Sequence, residues 1–261
     1  MNILDKILET KRKEIEQAKS IRSFDDIMDE ARSVSRPVAS FSRALSESGT
    51  GIIAEFKRRS PSKGYIKEGT DVTGIVKGYS ENGAAAISVL TDSDYFAGSL
   101  DDLREARATT NLPLLRKDFI INPYQICESH IAGADAILLI AAALSVSECS
   151  GLAAFAAFLG LEVLLELHDE SELGHINPYV NVVGVNNRNM RSFATDINTS
   201  KRLAKLLPNN IVRISESGIS SASTVRELRK EGFSGFLMGE IFMKEPDPAA
   251  ALGLFIKELE Q

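Results

Sequence analysis

From residue 52 onward the chain repeats one unit about eight times: a short apolar run followed by a longer segment of helical pattern. The apolar runs are Ile52–Phe56, Ala85–Leu90, Leu112–Leu115, Ala136–Ile140, Val163–Leu167, Val180–Val185, Ile211–Ser215 and Gly235–Met238. The helical segments are Thr73–Ser80, Leu100–Arg107, Pro123–Ala132, Ser147–Phe158, Glu170–Gly174, Ser200–Leu207, Ala222–Lys230 and Pro248–Leu259. Strand then helix, at a spacing of roughly 20–30 residues, is the pattern of parallel β/α units. It predicts an α/β fold, a (β/α)8 TIM barrel over residues 49–261. An open doubly wound sheet competes, but it usually carries a glycine-rich fingerprint after its first strand, and none is present.

Residues 1–48 fall outside that beat and read as an N-terminal helical extension of the same domain. Ile3, Leu4, Ile7, Leu8 and Ile15 lie near helical spacing, with Asp5, Lys6, Glu9, Lys11, Lys13 and Glu14 assigned to the other side. Phe24–Met28 starts a second helix, Pro37 breaks it, and Phe41–Leu45 forms a third. A coiled coil or a partner-binding arm is one reading. A lid or barrel plug is preferred, because so short an apolar stripe needs a surface to cover.

The bulk numbers narrow the partners. A net charge of −6 and a pI near 5.3 argue against attraction to nucleic acid or an anionic membrane. The apolar run Ile137–Leu144 is far too short to span a bilayer. Met1–Lys13 is amphipathic and charged, unlike a secretory signal. Cys127 and Cys149, the two cysteines, make a disulfide framework unexpected and fit a reducing, cytoplasmic compartment. A monomer is the expected state.

In a parallel barrel the chemistry sits just past the C-terminal end of each strand. The first strand runs into Glu55-Phe56-Lys57 and then a polar loop, Ser60-Pro61-Ser62-Lys63-Gly64. Alternation puts Glu55 and Lys57 on one face. Two opposite charges there are costly unless they pair or work, so they read either as a functional pair or as a surface ion pair. Phe96, in the loop after the second strand, walls a substrate or packs on its own helix. Lys117 ends the third strand; with cationic neighbours in a dry site its pKa is lowered, which suits proton transfer. Asp118 is expected to face away and be structural. Glu166, near the end of the fifth strand, is a candidate acid/base group. The neighbouring His168-Asp169-Glu170 suggests a metal less than a helix start, with Asp169 and Glu172 as a capping box. Asn186 and Arg188, after the sixth strand, suit a carboxylate or phosphate, although an Asn-rich turn is the plain alternative. Glycines Gly218 and Gly239, after strands seven and eight, let backbone N–H groups approach a phosphate. Glu240 is expected to offer its N–H there and turn its carboxylate away. No cofactor motif is visible, and the sum describes acid/base chemistry on a small phosphorylated compound.

Taken together, these motifs resemble the indole-3-glycerol phosphate synthases of tryptophan biosynthesis, from the N-terminal helices to the last helix. The resemblance rests on Ile53–Ser62, Ile87–Asp92, Leu115–Phe119, Glu166-Leu167-His168, Asn186–Asn189, Glu216–Ile219 and Met238-Gly239-Glu240. It implies a cofactor-free carboxy-lyase that converts 1-(2-carboxyphenylamino)-1-deoxyribulose 5-phosphate to indole-3-glycerol phosphate, carbon dioxide and water. By resemblance Lys117 is the general acid, and Glu166, Glu55 and Lys57 serve later proton transfers. Asn186 and Arg188 hold polar groups, and Ser217, Gly218, Gly239 and Glu240 form the phosphate site. Ser60 and Phe119 line the pocket. The expected catalytic set is thus Lys117, Glu166, Glu55, Lys57, Asn186 and Ser217. Glu240 departs from the serine or threonine of some relatives, which puts a hydroxyl contact to phosphate in doubt. A cysteine-based isomerase is disfavoured, because Cys127 and Cys149 fall within helices. A non-catalytic sensor barrel would tend to lose charge at Glu55, Lys117 or Glu166, and none is lost.

Overall fold

The computed structural model describes residues 3–189 and 193–261; residues 1 and 2 of the predicted extension lie outside them. Among the described residues, eight parallel strands close into a barrel. They are β1 (Ile52–Phe56), β2 (Ala86–Leu90), β3 (Leu114–Lys117), β4 (Ala136–Ile140), β5 (Glu162–Leu167), β6 (Val182–Asn186), β7 (Val212–Glu216) and β8 (Gly235–Met238). Each pairs with its neighbours in sequence, and β1 closes the ring against β8 through Ile52↔Phe236 and Ala54↔Met238. The longer crossover helices begin on side chains that accept the free N–H groups of the first turn. Ser99, Ser221 and Asp247 act this way, and Asn122 and Ser145 form full capping boxes. Each cap stabilises its helix by about 1 kcal/mol.

Three strands run further than their apolar runs. β3 is displaced to Leu114–Lys117 because Pro113 has no N–H for the ladder, while Arg116 and Lys117 do continue it. β6 takes in Asn186 and β7 takes in Glu216, which pair with one another. The predicted helix Glu170–Gly174 is a 3-10 turn, Glu170–His175. Asp169 caps that turn by accepting from Ser171 N–H. The expected capping box is incomplete, because the Glu172 carboxylate accepts from His168 N–H rather than from Asp169.

The period of two sorts the strand side chains into two cores. Ile52, Ala54, Phe56, Ile87, Val89, Ile137, Leu139, Val163, Leu165, Val183, Val185 and Phe236 pack outward beneath the helices. Ile53, Leu115, Leu138, Leu164, Ile214 and Leu237 fill the barrel interior. The extension serves both ends of that interior. Helix α3 (Phe41–Glu47) closes the base with Phe41 and Leu45, both fully buried among the interior residues. Ser40 Oγ and Ser42 N–H hold it there by bonds of 2.7 Å each to Glu162, the first residue of β5. Helix α1 (Ile3–Ile21) lies at the opposite end, where Ile3 and Ile7 line the mouth. Helix α2 (Phe24–Ser33) packs on the outside, against the crossover helix Pro123–Ile131. No helix among the described residues is long and apolar enough to cross a membrane.

Candidate active site

At the C-terminal ends of the strands the barrel opens into a cavity of about 580 Å³. All thirteen residues singled out from the sequence line it: Glu55, Lys57, Ser60, Phe96, Lys117, Phe119, Glu166, Asn186, Arg188, Ser217, Gly218, Gly239 and Glu240. The reason is alternation. Above the apolar interior layer, the next inward position on β1, β3, β5 and β7 is Glu55, Lys117, Glu166 and Glu216 respectively, and on β6 Asn186 follows the inward Gly184.

Lys117 stands at the centre. Its Nζ lies 3.8 Å from Glu166 Oε2, 3.8 Å from Glu216 Oε2 and 4.0 Å from Glu55 Oε2. The sequence had suggested cationic neighbours and a lowered pKa; the structure corrects this. Burial disfavours the ammonium, but Glu166, then Glu216 and Glu55, outweigh burial and raise the pKa above the ordinary lysine value. Lys117 is therefore held as the ammonium at neutral pH. Lys57 pairs with Glu55 at 2.6 Å, so the two charges at the end of β1 do compensate each other. Burial works against the Glu55 carboxylate, yet Lys57 and Lys117 hold its pKa below the usual range. Glu166 is held low in the same way by Lys117 and by His168, whose Nε2 lies 3.2 Å away. His168 also lies 3.5 Å from Glu172. Despite burial, these two carboxylates raise the imidazole pKa to about 10, so it is charged at neutral pH. His168 is thus flanked by carboxylates on both of its ring nitrogens. Among the described residues no group of three His, Cys, Asp or Glu is disposed to hold a metal ion.

Glu216 received no role from the sequence, although it stands in a quoted motif. It is almost fully buried and neither carboxylate oxygen has a hydrogen-bond partner. Burial, then the neighbouring Glu166 charge, push its pKa up to about 8, against the pull of Lys117. At neutral pH it is mostly the protonated acid. The signal that reveals it is register: Glu216 lies two residues beyond the inward Ile214 and pairs with Asn186. Two glycines make room for these carboxylates. A Cβ at Gly184 would lie 2.3 Å from Glu216 Oε1, and one at Gly239 would lie 2.8 Å from Glu55 Oε1.

The rim supplies the remaining groups. Phe96 and Phe119 stack at 6.2 Å between ring centres on the β2–β3 side. Across the barrel, Ser217 and Gly218 both take positive φ, +65° and +74°, and turn the chain over the mouth. Left-handed backbone is costly for a serine. It is braced by Asn187, whose amide donates to Ser215 Oγ, Glu216 O and Ser217 O at 2.9–3.1 Å. Asn187 is thus a structural bracket, whereas Asn186 faces the cavity. Arg188 donates to Ser62 Oγ at 2.9 Å and lies 3.7 Å from Glu240 Oε2. Glu240 also reaches Lys63 at 3.5 Å. Its carboxylate therefore spans the mouth, contrary to the expectation that it would turn away, because two cations of the rim attract it. Ser60 Oγ is buried without a hydrogen-bond partner. Asp118 touches the cavity wall, but its carboxylate is taken up by Arg116, Thr91 and Phe119 N–H. Cys127 and Cys149 are buried in helices away from the mouth.

The family described as indole-3-glycerol phosphate synthase matches residues 4–255 of this chain. A curated protein of that name from Bacteroides thetaiotaomicron is 48% identical over 260 residues, covering 99% of each chain. One from Bordetella pertussis is 41% identical over 98% of this chain and 99% of its own length. Among solved structures, thiamine phosphate pyrophosphorylase from Pyrococcus furiosus superposes with a TM-score of 0.62 at 14% identity, over 85% of this chain and 98% of that one. A chain of the tryptophan synthase complex from Pyrococcus furiosus gives 0.59 at 15% identity, over 81% of this chain and 98% of that chain. At such identities these structural likenesses speak to the barrel fold alone.

Proposed function

The chain belongs to the indole-3-glycerol phosphate synthase family, and on that premise we propose how its residues carry out the reaction. The reaction is ring closure of 1-(2-carboxyphenylamino)-1-deoxyribulose 5-phosphate to indole-3-glycerol phosphate, carbon dioxide and water. The observation that carries the proposal is Lys117, one ammonium set among the carboxyl groups of Glu55, Glu166 and Glu216 beneath an open mouth.

The aryl carbon bearing the carboxylate attacks the ketose carbonyl carbon, and Lys117 delivers a proton to the carbonyl oxygen as charge builds there. A positioned acid of this kind contributes on the order of 10²–10⁴-fold. Carbon dioxide then leaves, and its bonding electrons restore the aromatic ring. The hydroxyl made from the carbonyl departs as water on receiving a second proton, while the adjacent ring carbon gives one up. Glu166, Glu55 and Lys57 serve these later transfers, supported by their direct or one-step contact with Lys117. Asn186 lines the same cavity and holds a polar group of the substrate.

The aryl ring takes the Phe96–Phe119 side, and the phosphate takes the opposite side, where Ser217, Gly218, Gly239 and the N–H of Glu240 meet. Placing the two ends on opposite strands stretches the substrate across Lys117, and fixing the remote phosphate contributes to holding that geometry. Arg188 meets the carboxylate, exchanging its contact with Glu240 for it, and the unpartnered Ser60 Oγ is free to reach the bound sugar. Helix α1 acts as a lid and α3 as a plug. One chain supplies every one of these groups, which supports a monomer, and acidic charge with buried free thiols suits the cytoplasm.

The test is absorbance or fluorescence of indole formed from the carboxyphenylamino sugar phosphate, with no metal added. The chain contains no tryptophan, so the product's indole signal rises without a background from the protein's own indoles. Failure to form indole with folded protein would refute the proposal.

A further inference from the structure

The sequence pattern assigned Lys11 to the solvent side of α1, yet the structure buries it. Its side chain is 3% exposed and its Nζ lies 2.8 Å from Asp92 Oδ2, 3.2 Å from Asp118 Oδ1 and 2.8 Å from Glu14 Oε2. A lysine is rarely so buried unless paired. Both of its barrel partners stand directly beside the aromatic side of the cavity. Asp118 lies between Lys117 and Phe119, and its other oxygen takes Thr91 Oγ1 at 2.6 Å and Arg116 at 3.0 Å. Asp92 caps the short helical turn Ser93–Phe96 by accepting Tyr95 N–H at 2.7 Å. Its second oxygen has no partner besides the Lys11 ammonium.

Lys11 therefore bridges the two segments that carry Phe96 and Phe119. The helix that brings it there carries two residues of the cavity wall on the same face: Ile7 is one turn before it and Ile3 two turns before it. Thr10 adds a contact to Tyr95 Oη at 3.3 Å. The ion cluster is placed where a shift of α1 moves the lid, both phenylalanines and the end of β3 together.

We propose that Lys11 is a positioning residue for the reaction: its buried bridge to Asp92 and Asp118 seats α1 on the rim and fixes the apolar compartment that receives the aryl ring. The inference rests on the ring-closing function proposed above and adds to it a residue that lies outside the cavity wall.

The experiment compares Lys11→Met, Lys11→Arg and a control, Arg107→Met. Arg107 bridges the buried Asp135 in a partly buried pair away from the mouth. Two probes report the two sides of the cavity: anthranilate, followed by its own fluorescence, and inorganic phosphate, followed as an inhibitor. Lys11→Met should weaken anthranilate binding and raise KM about tenfold or more while leaving phosphate inhibition within twofold. Lys11→Arg should recover most of the loss, and Arg107→Met should lower Tm with KM and anthranilate binding unchanged. Wild-type KM and anthranilate affinity in Lys11→Met, with only Tm reduced, would overturn the inference, as would equal weakening of both probes. Should Lys11→Met not fold, Asp92→Asn removes the bridge while keeping an acceptor for Tyr95 N–H, and the same two outcomes decide. Wild-type turnover is read in the same assay, so absence of the reaction itself is distinguished from absence of a role for Lys11.

Discussion

Replacing Glu216 by glutamine should flatten the pH dependence of stability in a defined direction. Burial and the Glu166 charge raise the Glu216 pKa to about 8 in the folded chain. In the unfolded chain a glutamate titrates near 4.3. Between those values the folded state holds a proton that the unfolded state has lost, so stability falls as pH rises through this window. One pKa unit corresponds to about 1.4 kcal/mol, so the full interval is worth about 5 kcal/mol, of which roughly 3–4 kcal/mol is lost by pH 7. Glutamine mimics the protonated acid and does not titrate. The stabilities of wild type and Glu216→Gln should therefore be close below pH 4.5, and the variant should gain steadily on the wild type up to pH 8. Glu55, Glu166 and Asp118 have lowered pKa values, so in the folded state of both proteins they are already ionised across the pH range that separates the two. Urea unfolding of the two proteins at a series of pH values from 5 to 8.5 measures that difference. A difference that stays constant across the series would refute the claim that Glu216 is buried as the neutral acid.

Lys117→Met should lower kcat by at least about 10²-fold, the contribution expected of a positioned acid, with phosphate inhibition largely retained; turnover at the wild-type rate would remove Lys117 from the mechanism. Removing residues 1–22 should reduce turnover far more than it lowers Tm, as compared by steady-state kinetics and thermal unfolding. A cut extending through α3 should instead destabilise the barrel, since Phe41 and Leu45 fill its base. Activity should survive dialysis against a chelator, because His168 is already engaged by Glu166 and Glu172; loss that is restored by a divalent metal would reopen a metal role there.

The order of strands and helices was legible in the sequence, because a buried parallel strand must be nearly all apolar and a crossover helix must be capped and amphipathic. Those demands are local and leave their mark residue by residue. The reading stopped short where apolar character gave way to charge, at Arg116-Lys117, Asn186 and Glu216. Those strand ends stay in the ladder because the barrel supplies partners that local pattern does not reveal. Most of the thirteen rim residues were found because they lie at or just past a strand end, whereas Ser60, Phe119 and Ser217 entered through the family resemblance. The charge states were not: Lys117 was given cationic neighbours, whereas closure brings Glu55, Glu166 and Glu216 around it from three other strands.

The amino-acid sequence by itself determined the repeating unit, its parallel sense and the identity of the groups at the mouth. Only the tertiary structure decided which charges share a buried volume, and hence which hold protons: Lys117 and His168 charged, Glu216 neutral, Lys11 drawn inside. Spacing along the chain fixes which face a side chain takes, but electrostatic energy depends on distances between residues far apart in sequence and on the water excluded from between them.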